Sequence, residues 1–355
     1  MKNEPTPAPS RAGGELNHTS PQQYYTNATP IRERWGVGSL FILLLLFLIS
    51  PVRAQKIGLV LGGGGAKGAA EVGVLRVLED AGIRPDFIAG TSIGSVVGAL
   101  YAAGYSAAEL EQMFSQQEWI SLLTDRREDL SGEPYKQEKG ITYIFGFPVI
   151  DSRNTTFGML GGTRVEQVVD SMLSLKGCVE FECLPIPFRC VAASMMNAEE
   201  VVLSEGVVPR AVRASMSIPG VFKSVEVDGQ QLVDGGMMNN LPVDVVREMG
   251  ADIVIAVDLQ QDKPQNRKND ASLITGLADL VGLGPIANWI FNRPDITKYN
   301  ENRQRADIYI NPPLPDYDAS SFGNNNMLRM IQVGKTEARK QLGKLSKLAP
   351  LNNGN

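Results

Sequence analysis

A serine stands between two glycines in Gly90-Thr91-Ser92-Ile93-Gly94, where an apolar run of strand length (86–90) gives way to a helical pattern (92–103). A hydroxyl on a tight strand-to-helix turn is presented to its surroundings, flanking glycines let neighbouring backbone pack close, and the start of a helix favours developing negative charge. Such a serine suits nucleophilic attack, although the same five residues also describe a plain helix N-cap. A second motif, GGGGAKG from Gly62 to Gly68, follows the first apolar run, 56–61. Backbone amides free of side chains can converge there on an anion or a tetrahedral oxyanion. Gly63, Gly65 and Gly68 equally satisfy a dinucleotide-binding GxGxxG, with Asp86 near the position of a ribose-binding acid. A Gly-Lys-Ser/Thr phosphate loop is excluded, because Lys67 precedes Gly68. The third motif, Val233-Asp234-Gly235-Gly236, holds an acid ahead of two glycines after a short strand; alone it describes a turn.

A serine hydroxyl needs a base within hydrogen-bond reach. The chain has one histidine, His18, inside a leader that looks removable, so a Ser/His/Asp triad is excluded and a carboxylate must take the proton directly. Asp234 is the best-placed candidate. An ordinary carboxylate, with a pKa of ~4, is a poor base toward serine, so a dry pocket must raise its proton affinity. The glycine loop must then contribute heavily, each oxyanion donor being worth ~3 kcal/mol. Asp258, at the end of an apolar strand, is read as structural.

The elements that would position these residues alternate between strand-length apolar runs and helical periods, the pattern of a sheet covered on both faces. Strands are expected at 56–61, 86–90, 188–194, 201–204, 252–259 and 306–310, with a short pair within 224–233. Helices are expected from Ala69 to Ala81, from Ser92 to Ala103, from Thr163 to Leu175, near Pro209 to Ser217 and from Met327 to Leu345, and Ser106 with Glu109 marks a capping box for another. From Ser121 to Gly162 the pattern weakens, as in a cover over a site. Trp119, Phe145, Phe147, Phe157 and Leu160 could line an apolar groove or meet an apolar surface, or could equally be core.

The 355 residues are 43% hydrophobic, with 34 basic against 39 acidic residues and a net charge of -5. This is an ordinary globular balance with no overall basic field, so nucleic acid is not an expected partner. Residues 39–50 form an apolar core preceded by Arg32 and Arg34 and followed by Pro51 to Ala54, which predicts a secretory signal cleaved after Ala54; an uncleaved anchor is the rival. The expected organisation is therefore a leader (1–54), a catalytic core (55–260), and a linker, variable helical region and final strand-helix (261–355) completing the same domain. Cys178, Cys183 and Cys190 lie within thirteen positions; in an oxidising compartment one pair could bridge, or all three could be small buried hydrophobes. Oligomeric state is not legible.

Together the three motifs, with RASMSIPGVF (213–222) and the long stretch 231–259, resemble the patatin-like phospholipases, in particular bacterial members related to the neuropathy target esterase catalytic domain. The resemblance runs from Lys56 to Asp258, with a weaker echo from Ile308 onward. It implies a three-layer α/β/α sandwich with a mainly parallel central sheet. It also implies a serine acyl hydrolase acting on lipid esters or at a membrane surface, with Ser92 as nucleophile and Asp234 as base. Gly63, Gly64 and Gly65 would form the oxyanion loop, with Gly68, Gly90, Gly94, Gly235 and Gly236 supporting the motifs. It implies neither cofactor nor metal. One departure is Glu71, where many bacterial relatives carry His. The rivals are a binding protein on the same fold and, from the GxGxxG match, a dinucleotide-dependent oxidoreductase.

Overall fold

The computed structural model describes residues 55–126, 132–144, 147–151, 160–260 and 295–348. The leader, most of the 261–299 linker and helical region, Phe145 and Phe157 lie outside them.

In chain order, β1 (Ile57–Leu61) runs into the glycine loop, a 3-10 turn at Gly65–Gly68 and helix α1 (Ala69–Asp80). Next come β2 (Phe87–Thr91), α2 (Ile93–Ala102), α3 (Ala107–Gln116) and α4 (Trp119–Leu123). Three short strands follow, β3 (Lys136–Glu138), β4 (Ile141–Ile144) and β5 (Phe147–Asp151), then α5 (Thr163–Leu175), β6 (Phe188–Ser194), β7 (Glu200–Leu203) and α6 (Val208–Ser215). The remainder is β8 (Val225–Val227), β9 (Gln230–Asp234), α7 (Val243–Glu248), β10 (Ile253–Val257), α8 (Ile296–Arg305), β11 (Ile308–Ile310), α9 (Asn324–Arg339) and α10 (Leu342–Leu345).

An eight-stranded sheet forms the centre in the order β11-β10-β1-β2-β6-β9-β8, with β7 also on β6. Its first five strands are parallel. Parallel strands covered on both faces read as unbroken apolar runs, as the fully buried IGLVL of β1 does. Ile57, Leu59, Leu61, Ile255 and Val257 pack with α1, α2 and α9, whereas Val60, Ala89, Val191, Val254 and Ala256 pack with α7 and Tyr299 of α8. Alternate residues of each strand thus feed opposite layers, giving the expected three-layer sandwich.

Capping at Ser106 occurs as its sequence indicates: the hydroxyl accepts from the Glu109 amide, and the Glu109 carboxylate accepts from the Ser106 amide. The closing helix is not continuous, since a turn at Lys340 and Gln341 separates α9 from α10. Within 121–162 the weak pattern conceals a small antiparallel sheet, β3-β4-β5.

One detail of β6 organises the rest. Cys190 pairs with both β2 and β7, so these lie on opposite edges; Ala192 pairs with both β7 and β9, so these do too. Strand β9 therefore takes over the edge of β6 that β2 leaves, and the two meet end to end.

Candidate active site

The meeting of β2 and β9 creates the site. Thr91, the last residue of β2, pairs with Val191, and Asp234, the last residue of β9, pairs with Ala192. Ser92 follows Thr91 directly, and its Oγ donates a hydrogen bond of 2.7 Å to Asp234 Oδ2. Both residues are largely enclosed, Ser92 being 7% and Asp234 6% exposed.

Ser92 has φ +55° and ψ -124°, a positive-φ backbone uncommon for a residue with a side chain. This turn is what aims the hydroxyl away from the helix it begins, and such conformations cost ~1–3 kcal/mol and persist only where the surroundings impose them. Here they do. A Cβ on Gly90 would stand 2.4 Å from the Gly94 carbonyl oxygen, and one on Gly94 only 2.3 Å from that of Leu61. The glycines are thus required by backbone packed directly on backbone. The Ser92 amide donates to Ser215 Oγ at 2.9 Å, and Ser95 Oγ donates to the Ser92 carbonyl at 2.6 Å. Thr91 Oγ1 donates to the Asn239 carbonyl, tying the turn to the segment after Asp234.

Asp234 is equally constrained. Its amide donates to the Ser217 carbonyl and its Oδ1 accepts from the Gly236 amide at 2.8 Å. Gly235 allows the chain to pass 2.1 Å, in Cβ terms, from the Val191 carbonyl oxygen. Burial pushes the carboxyl up to about 6, against the opposing pull of the hydrogen bonds from Ser92 and Gly236. That is the change a directly acting carboxylate base requires.

Because Leu61 pairs with Gly90, the loop after β1 lies beside the turn after β2. A Cβ on Gly63 would be 3.2 Å from Ser92 Cβ and 2.4 Å from Asn240 Oδ1. The Gly63 amide donates to the Asn240 carbonyl at 3.3 Å, and Asn240 Nδ2 donates back to the Gly63 carbonyl at 3.1 Å. Among the described residues no acceptor takes the amides of Gly64 and Gly65. Gly65 has φ +58° and lies against Ala319, whose carbonyl accepts from the Ala66 amide. Gly68 gives room to the Ile93 side chain.

Two further acids flank the loop. Glu71 is fully buried, and neither carboxylate oxygen has a hydrogen-bond partner among the described residues. Burial holds its carboxyl well above the usual range; the Gly62 amide pulls the other way and the charge of Asp258 pushes further up. Asp258 accepts from Tyr299, from Tyr309 at 2.6 Å and from the Gln260 amide at 2.9 Å, bonds that make it a tie between β10, α8 and β11. Asp86 does not serve the glycine loop: it precedes β2, and its Oδ2 accepts from the Ile57 amide at the start of β1. It sits at the opposite end of the strands from Gly62–Gly65, where a ribose held by that loop could not meet it.

Trp119 belongs to the core, tilted against Phe114 and stacked near Phe322, with its ring N–H donating to the Phe114 carbonyl. Leu160 bridges to Phe222, and Phe147 contributes backbone to β5. Cys178 and Cys183 form a disulfide, while Cys190 is buried and reduced. Ser215, Ser217 and Arg213 belong to no catalytic motif, and their only signal in the sequence is hydroxyls and a charge in an otherwise apolar helix end.

The arrangement can be compared with known proteins. Residues 59–247 match the family model described as patatin-like phospholipase. The human patatin-like phospholipase domain-containing protein 6 is 36% identical over 307 residues, covering 81% of this chain and 20% of that protein. Lysophospholipase nte1 of Emericella nidulans is 27% identical over 305 residues, covering 82% and 18%. The chain thus spans about a fifth of the length of these curated relatives. The crystal structure of VipD from Legionella pneumophila aligns with a TM-score of 0.45 and 16% identity, covering 82% of this chain and 67% of that one.

Proposed function

As the chain belongs to the patatin-like phospholipase family, we propose that it is a serine acyl hydrolase that cleaves fatty-acyl esters of lipids. The observation that carries this reading is the 2.7 Å hydrogen bond from Ser92 Oγ to the buried carboxylate of Asp234.

In the proposed reaction Ser92 Oγ attacks the ester carbonyl while Asp234 takes its proton. The oxyanion then formed is met by the glycine loop, with the Gly64 and Gly65 amides as its available donors and the Gly63 amide contributing on release from Asn240. Asp234 returns the proton to the departing alcohol, leaving an acyl group on Ser92. Water, deprotonated by Asp234, releases the fatty acid and restores the serine. A carboxyl lifted to about 6 is ionised at neutral pH yet more basic than an exposed aspartate, which suits both directions of transfer.

A lipid or membrane-surface ester is the proposed substrate. Export through the leader is proposed alongside it, and the Cys178–Cys183 disulfide supports an oxidising compartment. Hydrolysis of a panel of diacyl phospholipid, lysophospholipid, triacylglycerol and p-nitrophenyl ester by the full chain tests the reading. Turnover of at least one acyl ester, lost in Ser92→Ala, is expected; turnover that survives Ser92→Ala overturns it.

A further inference from the structure

Resting on the acyl-hydrolase reading above, we propose that Ser215 is a positioning residue, whose hydroxyl holds the backbone of Ser92 in the turn from which the nucleophile reaches Asp234. Ser215 is fully buried at the end of α6, too enclosed to touch a substrate. Its Oγ accepts from the Ser92 amide at 2.9 Å and donates to the Val191 carbonyl at 2.6 Å. Val191 is the partner of Thr91, so the hydroxyl joins the end of β2 to the strand beside it where the sheet ladder stops.

The Ser92 amide needs such an acceptor. Strand β2 has ended, and the first amides of a helix have no partner within it, so this buried N–H would otherwise go unmet. An unmet donor at a positive-φ residue is free to turn toward a more ordinary backbone, which would carry Oγ away from the carboxylate.

The same stretch of chain also holds the base. Ser217 accepts the Asp234 amide on its carbonyl, and its hydroxyl accepts from Arg213 Nη1 at 2.6 Å. Arg213 is itself buried and donates to the carbonyls of Gly161 and Lys223. Residues 213–217 therefore grip both partners of the hydrogen bond, and Ser215 is the grip on the nucleophile.

The test compares wild type, Ser215→Ala and Ser215→Cys in the full chain. Measured quantities are kcat and KM on p-nitrophenyl butyrate, the melting temperature, and the rate of labelling by a fluorophosphonate. In labelling, Ser92 Oγ bonds to phosphorus, the P–F bond breaks, fluoride leaves and the proton passes to Asp234. Ser215→Ala is expected to lower kcat and the labelling rate together by about tenfold or more, the scale of one buried donor left unmet. KM should stay within about twofold, and the Cys variant, whose sulfur accepts weakly, should fall between the two. Wild-type kcat and labelling in Ser215→Ala overturn the proposal, as does a change confined to KM. Should the Ala variant fail to fold, the Cys variant decides: reduced kcat at constant KM supports the role, and wild-type kcat refutes it. A wild-type chain that is neither labelled nor active sinks the acyl-hydrolase reading and this inference with it, whereas active wild type with equally active Ser215→Ala sinks this inference alone.

Discussion

Thr91 and Asp234 come from strands running in opposite directions, yet they pair with consecutive residues of β6, Val191 and Ala192, on the same edge. The break between β2 and β9 leaves a seam in an otherwise continuous ladder. Ser92 occupies it, and the direct contact of hydroxyl and carboxylate follows from backbone register more than from side-chain reach. That geometry leaves no third residue between them.

Asp234 carries a stability cost that its neutral replacement should relieve. Its folded carboxyl titrates at about 6, above the ordinary 3.8, so the native state binds the proton more tightly. Its contribution is therefore most favourable below the lower value, declines as pH rises between the two, and stays lost above, by on the order of 3 kcal/mol. Asp234→Asn should gain stability relative to wild type at about pH 8 and gain far less at about pH 4.5. Thermal melts of both proteins at both pH values check the sign.

Gly94 and Gly82 provide a paired test of the turn. A Cβ on Gly94 would meet the Leu61 carbonyl oxygen at 2.3 Å, whereas Gly82, with φ +71°, has nothing within 4 Å. Gly82→Ala should cost only the left-handed penalty of ~1 kcal/mol. Gly94→Ala must displace backbone, at ~3 kcal/mol or more, and should cut fluorophosphonate labelling as well. Comparison of melting temperatures and labelling rates separates the two.

Much of this is legible in the sequence. Helix α5 runs from Thr163 to Leu175 as its periodicity indicates, and the glycine loop and serine turn stand where adjacent parallel strands must put them. The antiparallel β3-β4-β5 unit was not legible, because strands as polar as Lys136–Glu138 lack an apolar period. The change of partner along β6 was hidden for another reason: it depends on pairing between residues some 40 to 100 positions apart, which no local pattern encodes. Ser215 was invisible for the same cause, its partner Ser92 lying 123 residues away.

The three thiols should separate cleanly. Cys178–Cys183 closes a short loop, so its reduction should lower stability by about 2 kcal/mol on chain-entropy grounds. Cys190 is fully enclosed and burial pushes its thiol far up, which keeps it protonated and unreactive. Thiol titration is expected to find none in the native oxidised chain, two after mild reduction and the third only on unfolding.

Activity should rise with pH along a limb centred near 6, as Asp234 loses its proton and becomes able to accept one from Ser92. A limb there would ordinarily be assigned to histidine, but His18 is the only one in the chain. A pH–rate profile of His18→Ala should therefore superimpose on that of wild type; disappearance of the limb would assign it to the imidazole.

Labelling of Ser92 by a fluorophosphonate in wild type and Asp234→Asn, followed by mass spectrometry of the modified peptide, bears most directly on direct proton transfer from serine to aspartate. The adduct should form on Ser92, and the Asn variant should label ~10²- to 10⁴-fold more slowly, the range for loss of a general base. Labelling of Asp234→Asn at the wild-type rate, or an adduct at another residue, would contradict the account.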